Sequence, residues 1–198
     1  MNTQAAARYE TPDAGGVIES YRQVFARQRL FAEHAFDQLD DTGFFKAPGD
    51  GLNSVAVIAQ HIAGNLQSRW TDFLTTDGEK NTRNRDAEFE LAEHTPESRA
   101  QIMKSWEHGW DCLLGTLDSL TDDDLNKAVT IRTVEHSVPL ALARGTDHIA
   151  FHVGQINVLA RLYVGSDAWA WFTLPPGGTK AFNERLRSEH DPSHEPPT

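Results

Sequence analysis

Four stretches of the chain repeat their apolar residues with the period of an amphipathic helix. The first runs from about Val17 to Leu39, with Ile18, Tyr21, Phe25, Ala32 and Phe36 along one side and no Pro or Gly inside it. The second starts at Asn53 or Ser54, either of which suits an N-cap, and carries Val55, Ile58, Ile62, Leu66 and Phe73 to about Thr75. The third has the sharpest start: Thr95 as N-cap, Pro96 at the first helical position and Glu97 in the first turn, followed by Ile102, Trp106, Leu113, Leu117 and Leu120. The fourth opens at Pro139 and runs to about Val164, where Gly165 is placed as its stop.

Four helices of about 20–26 residues predict an all-α, up-and-down four-helix bundle. Two connections, residues 76–94 and 120–138, are longer than that design needs, and loops of this length are lids or packed structure. Within the second, residues 128–138 alternate β-branched and polar positions, which predicts a short hairpin or an extended crossover before the last long helix. Residues 1–16 and 188–198 are polar and read as disordered tails, so residues 17–187 form the expected single domain.

The chain has 198 residues, of which 39% are hydrophobic and 24% charged, and a net charge of -11 from 29 acidic and 18 basic side chains. This length suits one domain with a substantial core. The acidic balance disfavours nucleic acid and anionic lipid as partners. No apolar run is long enough to cross a bilayer and no secretory signal is visible, so a cytoplasmic location is expected. The single Cys112 cannot form an intramolecular disulfide, which fits a reducing compartment.

The chemistry concentrates on histidine. His148 and His152 stand four residues apart on the fourth helix, one turn apart on one face, a spacing that chelates metal. On the helical wheel Phe151, Gln155, Leu159, Leu162 and Tyr163 lie near His148, so the pair is expected to face the core. On the second helix His61 sits at the edge of the apolar stripe, one turn before Asn65, and is the third candidate ligand. One His on one helix and H-x3-H on another can surround a divalent ion and leave positions open. The alternative is a set of core histidines satisfied by Asn65, Gln155 or backbone groups. The H-E-x-x-H of zincin proteases and the Glu-x-x-His of di-iron bundles are both missing, which excludes the protease chemistry and disfavours the ferritin-like one.

His61, together with Asp-His-x3-His-x-Gly-Gln around His148 and His152, resembles the DinB/YfiT-like metalloprotein superfamily. Ser68-Arg69-Trp70-Thr71-Asp72-Phe73, the Asp77-Gly78-Glu79-Lys80 turn and the stretch from Arg83 to Phe89 resemble a branch of it described only as a domain of unknown function. The resemblance covers about residues 17–187. It implies a four-helix bundle, often a homodimer, with a three-His site for zinc, nickel or another divalent ion. Thiol S-transfer, metal-dependent hydrolysis or isomerisation are the reactions it implies.

Asn65, Arg69 and Asp72 share the side of the second helix that holds His61, and with Gln155 they are the candidates to orient a substrate carboxylate or a water beside the metal. An Arg69–Asp72 ion pair at the rim accounts for those two equally well. His34, His94, His108 and His136 read as solvated positions, and Cys112 as a buried, inert thiol. The alternating charges from Lys80 to Glu90 read as a solvated segment. Trp169, Trp171 and Phe172 read as packing residues, Asp147 as a weak partner for a ligand imidazole, and Gly177-Gly178-Thr179-Lys180 as a turn with no helix of any length after it. The resulting expectation is a metal-dependent small-molecule enzyme, first a thiol S-transferase using a small-molecule thiol cosubstrate and second a hydrolase. A metal-binding or stress-response protein without turnover is the non-catalytic alternative.

Overall fold

The computed structural model describes residues 15–90 and 93–189, which fall into two compact units, 15–169 and 170–189. The tails expected to be disordered lie almost wholly outside the described residues. The chain is mostly helical, with one small two-stranded sheet. The first unit holds α1 (Val17–Phe36), the short α2 (Asp41–Phe45), α3 (Val55–Trp70), α4 (Pro96–Ser119), the hairpin strands β1 (Ala128–Ile131) and β2 (Val134–Ser137), and α5 (Val138–Val164). The second unit holds α6 (Thr179–Glu189), a helix that the sequence reading did not expect after the glycine turn.

Most helix starts are local. Ser54, Thr95 and Ser137 each turn a hydroxyl back to accept an amide hydrogen of the first turn, from Val57, Ser98 and Leu140 respectively. α1 is different, because Gly16 before it has no side chain to offer. The carboxylate of Asp122, 105 residues along the chain, accepts the amide of Val17 instead, and that of Ile18 as well. α3 stops at Trp70, short of the expected Thr75, because the chain turns into the left-handed region at Asp72 (φ 49°).

The long helices pack in pairs, α3 on α4, α1 on α5, α3 on α5 and α1 on α4. Their common core contains Phe25, Leu66, Trp70, Trp106, Trp110 and Leu113, all buried. Gly109 lets α4 approach α3 closely, since a methyl group there would stand 2.9 Å from the Ala63 carbonyl oxygen. α5 buries Ile149, Val153, Ile156 and Ala160, whereas Phe151 and Leu162, expected on the core face, are 63% and 64% exposed. The helix is apolar on more than one side, and its neighbours select the stripe that is buried. His148 and His152 consequently sit half-buried at the rim of the core.

The hairpin pairs Ala128 with Ser137 and Ile131 with Val134, closed by Arg132 and Thr133, both in the left-handed region (φ 53° and 65°). Such a turn prefers Asn-Gly. Here Asp77 compensates, its carboxylate accepting the amides of Glu79, Arg132 and Thr133 at 2.7–2.8 Å. Gly78 donates to the Thr130 carbonyl, and Ser68 bonds both Gly78 and Lys80, so the 77–80 turn is fastened between the hairpin and α3.

Candidate metal centre

α3 and α5 bring the imidazole of His61 to those of His148 and His152, the first of which lies 87 residues further along the chain. One ring nitrogen from each of His61, His148 and His152 lies within 4.8 Å of the others, close enough to hold one metal ion. The Nε2 atoms of His61 and His148 stand 3.2 Å apart. Two imidazoles on one tetrahedral zinc, at about 2.05 Å each, would place their nitrogens roughly 3.3 Å apart.

The other ring nitrogens decide which lone pairs are free. His61 Nδ1 donates to Glu88 Oε2 at 2.8 Å, and His152 Nδ1 donates to Gln155 Oε1 at 2.8 Å. Each bond fixes the tautomer that leaves Nε2 unprotonated, the form in which an imidazole ligates metal. Burial, with repulsion from His152 and His61 behind it, pushes the His148 pKa down to about 3, so its ring is neutral. His152 is shifted the same way, chiefly by burial. The Nδ1 of His148 is buried without a hydrogen-bond partner. Three converging imidazoles, two of them with Nδ1 hydrogen-bonded so that Nε2 faces the others and the third with a buried Nδ1 that has no partner, fit a divalent cation.

Behind His61 stands a second layer. Glu88 is 7% exposed and is gripped by Arg83, whose Nε reaches Oε1 at 2.7 Å and whose Nη2 reaches Oε2 at 2.8 Å. Burial raises the Glu88 carboxyl, but the bonds from His61 and Arg83 outweigh it and hold the group below the usual range. Gly64, on the turn of α3 after His61, leaves the room, for a methyl group there would collide with the Glu88 carboxylate. Gln60 fastens the 3₁₀ turn Asp86–Phe89 to α3 through the carbonyls of Ala87 and Glu88. The Phe89 ring lies 4.8 Å from that of His61 and also lines a cleft of about 630 Å³ with Phe45, Lys46, Leu52, Val57 and His94.

Across residues 14–178, this chain matches the model of a family described as protein of unknown function (DUF1572). The chain belongs to that family. No curated protein and no solved structure matches it.

In this DUF1572 protein the remaining candidates take different places. Gln155 touches the centre through His152. Asn65 is half-buried, one turn beyond His61, and its side chain makes no hydrogen bond among the described residues. Asp72 is exposed, and its backbone carbonyl caps Thr75 and Thr76; no ion pair joins it to Arg69. Cys112 is half-buried beside Thr71 and His108 on α4, rather than fully enclosed.

Two sequence readings are corrected. The Lys80–Glu90 segment is not simply solvated: it supplies Glu88 and the nearly buried Arg83, the carboxylate and cation behind His61. An isolated Phe89 among the charges was the one sign of packing there. His136 is also not solvated. It is 7% exposed, donates from Nδ1 to the Val134 carbonyl and accepts from Arg144 at 2.8 Å. Asp147 is exposed, and Glu88 fills the role considered for it.

Proposed function

We propose that this DUF1572 protein is a DinB/YfiT-like metalloprotein in which α1, α3, α4 and α5 form a four-helix bundle. His61, His148 and His152 hold one divalent transition metal, zinc or nickel, for small-molecule chemistry. Thiol S-transfer is the first reaction and hydrolysis the second. The observation that carries the reading is the convergence of three imidazoles, two of them with Nδ1 committed to Glu88 and Gln155.

A divalent ion in this position supplies Lewis acidity, lowering the pKa of a thiol or water that meets it. The chain's own groups prepare the place. Glu88, held by Arg83, keeps the His61 lone pair on Nε2, and Gln155 does the same for His152. Because those two polar side chains are spent on Nδ1 atoms, neither completes the ligand set, which supports an open rather than a closed structural site. Phe89 walls the centre on the His61 side. Among the described residues Cys112 meets Thr71, just past the end of α3, and His108 on α4, not the three histidines, so the thiol comes from a cosubstrate.

Plasma mass spectrometry on untagged protein tests the reading. About one equivalent of transition metal is expected in the wild type and in His108→Ala, an exposed control on α4, and none in His148→Ala. The metal-loaded wild type should then consume a small thiol in the presence of a chromogenic haloarene, and chelation should stop it. A wild type that carries no metal and takes up neither added zinc nor nickel overturns the reading. Stoichiometric metal without turnover of thiols or esters replaces it with a non-catalytic metal protein.

A further inference from the structure

Arg69 is the exception among the cations around the centre. Arg83 bonds Glu79 and Glu88, Arg132 bonds Glu79, and Arg144 bonds His136. The side chain of Arg69 makes no hydrogen bond among the described residues. Its Nε is buried without a partner, while the residue as a whole is half-buried. A buried donor left unmade costs free energy, and more when the group is charged. The cost is compounded by company: Arg83, Arg144 and Arg132 all repel it, with Glu79 the main opposing charge. The stem is pinned, since a methyl group on Gly78 would stand 2.8 Å from Arg69 Cδ, and the turn carrying Gly78 is fastened to both α3 and the hairpin.

Its place relative to the histidines follows from the two helices. His61, Asn65 and Arg69 repeat every four residues on α3, and Arg144, His148 and His152 do so on α5. α3 and α5 pack on each other, with His61 against His148 and His152. Arg69 lies roughly 12 Å along the helix axis from His61. The electrostatic influence of Arg69 reaches His148, and that of Arg144 reaches Arg69.

The geometry points to an anion subsite at Arg69 beside the three-His centre, so that the small molecule handled there carries a carboxylate or phosphate as well as its reacting atom. The two Nη groups of Arg69 offer N–H donors in a planar fork matched to an oxyanion, and the stem that carries the fork is immobilised. Placing such a receptor in a chain of net charge -11 concentrates anions where the rest of the surface repels them. As a statement about substrate, the inference rests on the metal-centre reading; as a statement about anion binding, it stands alone.

Titration calorimetry at low ionic strength, with inorganic phosphate in one arm and succinate in the other, separates the two sources of negative charge. Saturable binding of about one anion per chain is expected for the preferred class. Arg69→Gln should weaken it at least tenfold and Arg69→Lys by less, because an ammonium keeps the charge but not the fork. Arg132→Gln and the metal-free His148→Ala should stay within about twofold. No saturable binding of either anion by folded wild type, or equal weakening by Arg69→Gln and Arg132→Gln, overturns the subsite. Loss of binding in His148→Ala also overturns it by assigning the anion to the metal. Should Arg69→Gln not fold, labelling of the wild type with phenylglyoxal decides. Phosphate or succinate must protect Arg69 and leave Arg132 reactive, and equal labelling of both refutes the subsite. Metal content measured in parallel distinguishes the failures, since a metal-free wild type that still binds anion through Arg69 loses the metal reading alone.

Discussion

Glu88 shows how much of the site depends on residues that do not themselves face the candidate ion. Its carboxylate lies between the Arg83 guanidinium and the His61 ring, so it holds a tautomer and a ring orientation together. Glu88→Gln preserves the shape and removes the charge. Carboxylates in this position typically contribute a factor of 10–100 to metal affinity, and a loss of that order is expected in competition with a chromophoric chelator. Affinity equal to that of the wild type would show that Glu88 supports only the fold. The residue was not legible in the sequence because Glu88 sits in a segment of alternating charge, a pattern that usually means solvent. His148 and His152 were legible because H-x3-H spacing puts two rings on one face whatever surrounds the helix, and His61 because it stands at the edge of the apolar stripe of α3.

Individual elements are held by caps that differ in how far they reach. The 3₁₀ turn Asp122–Asn126 is closed by Asp124, whose carboxylate accepts the amide and hydroxyl of Thr121 and pairs with Lys127 at 2.6 Å. The bond to Lys127 first, then those from Thr121, lower the Asp124 pKa to about 2, against 3.8 for a free side chain. The folded state therefore binds this proton less readily than the unfolded chain. Its stabilisation is fully present above about pH 4 and is lost as pH falls from 3.8 through about 2. In thermal melts across that range, Asp124→Asn should begin lower at neutral pH and show a shallower acid decline than the wild type. Parallel curves would exclude Asp124 as a source of the acid limb. Next to it, Asp122 caps α1 from 105 residues away, which no local pattern announces.

At the level of the whole molecule the candidate centre ties α3 to α5, and His61 to a loop that is itself pinned by Arg83 and Gln60. A ligand that binds only the folded state stabilises it by mass action, by about 2.7 kcal/mol at a hundredfold excess over Kd. For a chain of this size that corresponds to a rise of roughly 5–10 °C in Tm. Removing metal with a chelator should reverse the rise in the wild type and leave His148→Ala unchanged. An identical shift in both proteins would place the stabilising ion somewhere else.

The order of the amino acids sets the helical class, the starts of α3, α4 and α5, and the pairing of His148 with His152, and it narrows residues 128–138 to a hairpin or an extended crossover. Each of these follows from short-range rules of hydrophobic period, capping hydroxyls, proline placement and four-residue spacing. Only the tertiary structure decided which stripe of α5 is buried, because a helix apolar on several sides takes its orientation from its neighbours. It also decided that Asp122 caps α1, that Glu88 and Arg83 stand behind His61, and that Arg69 is left without a partner. Those contacts join residues from distant segments, and their energies depend on distance and burial that no local pattern contains.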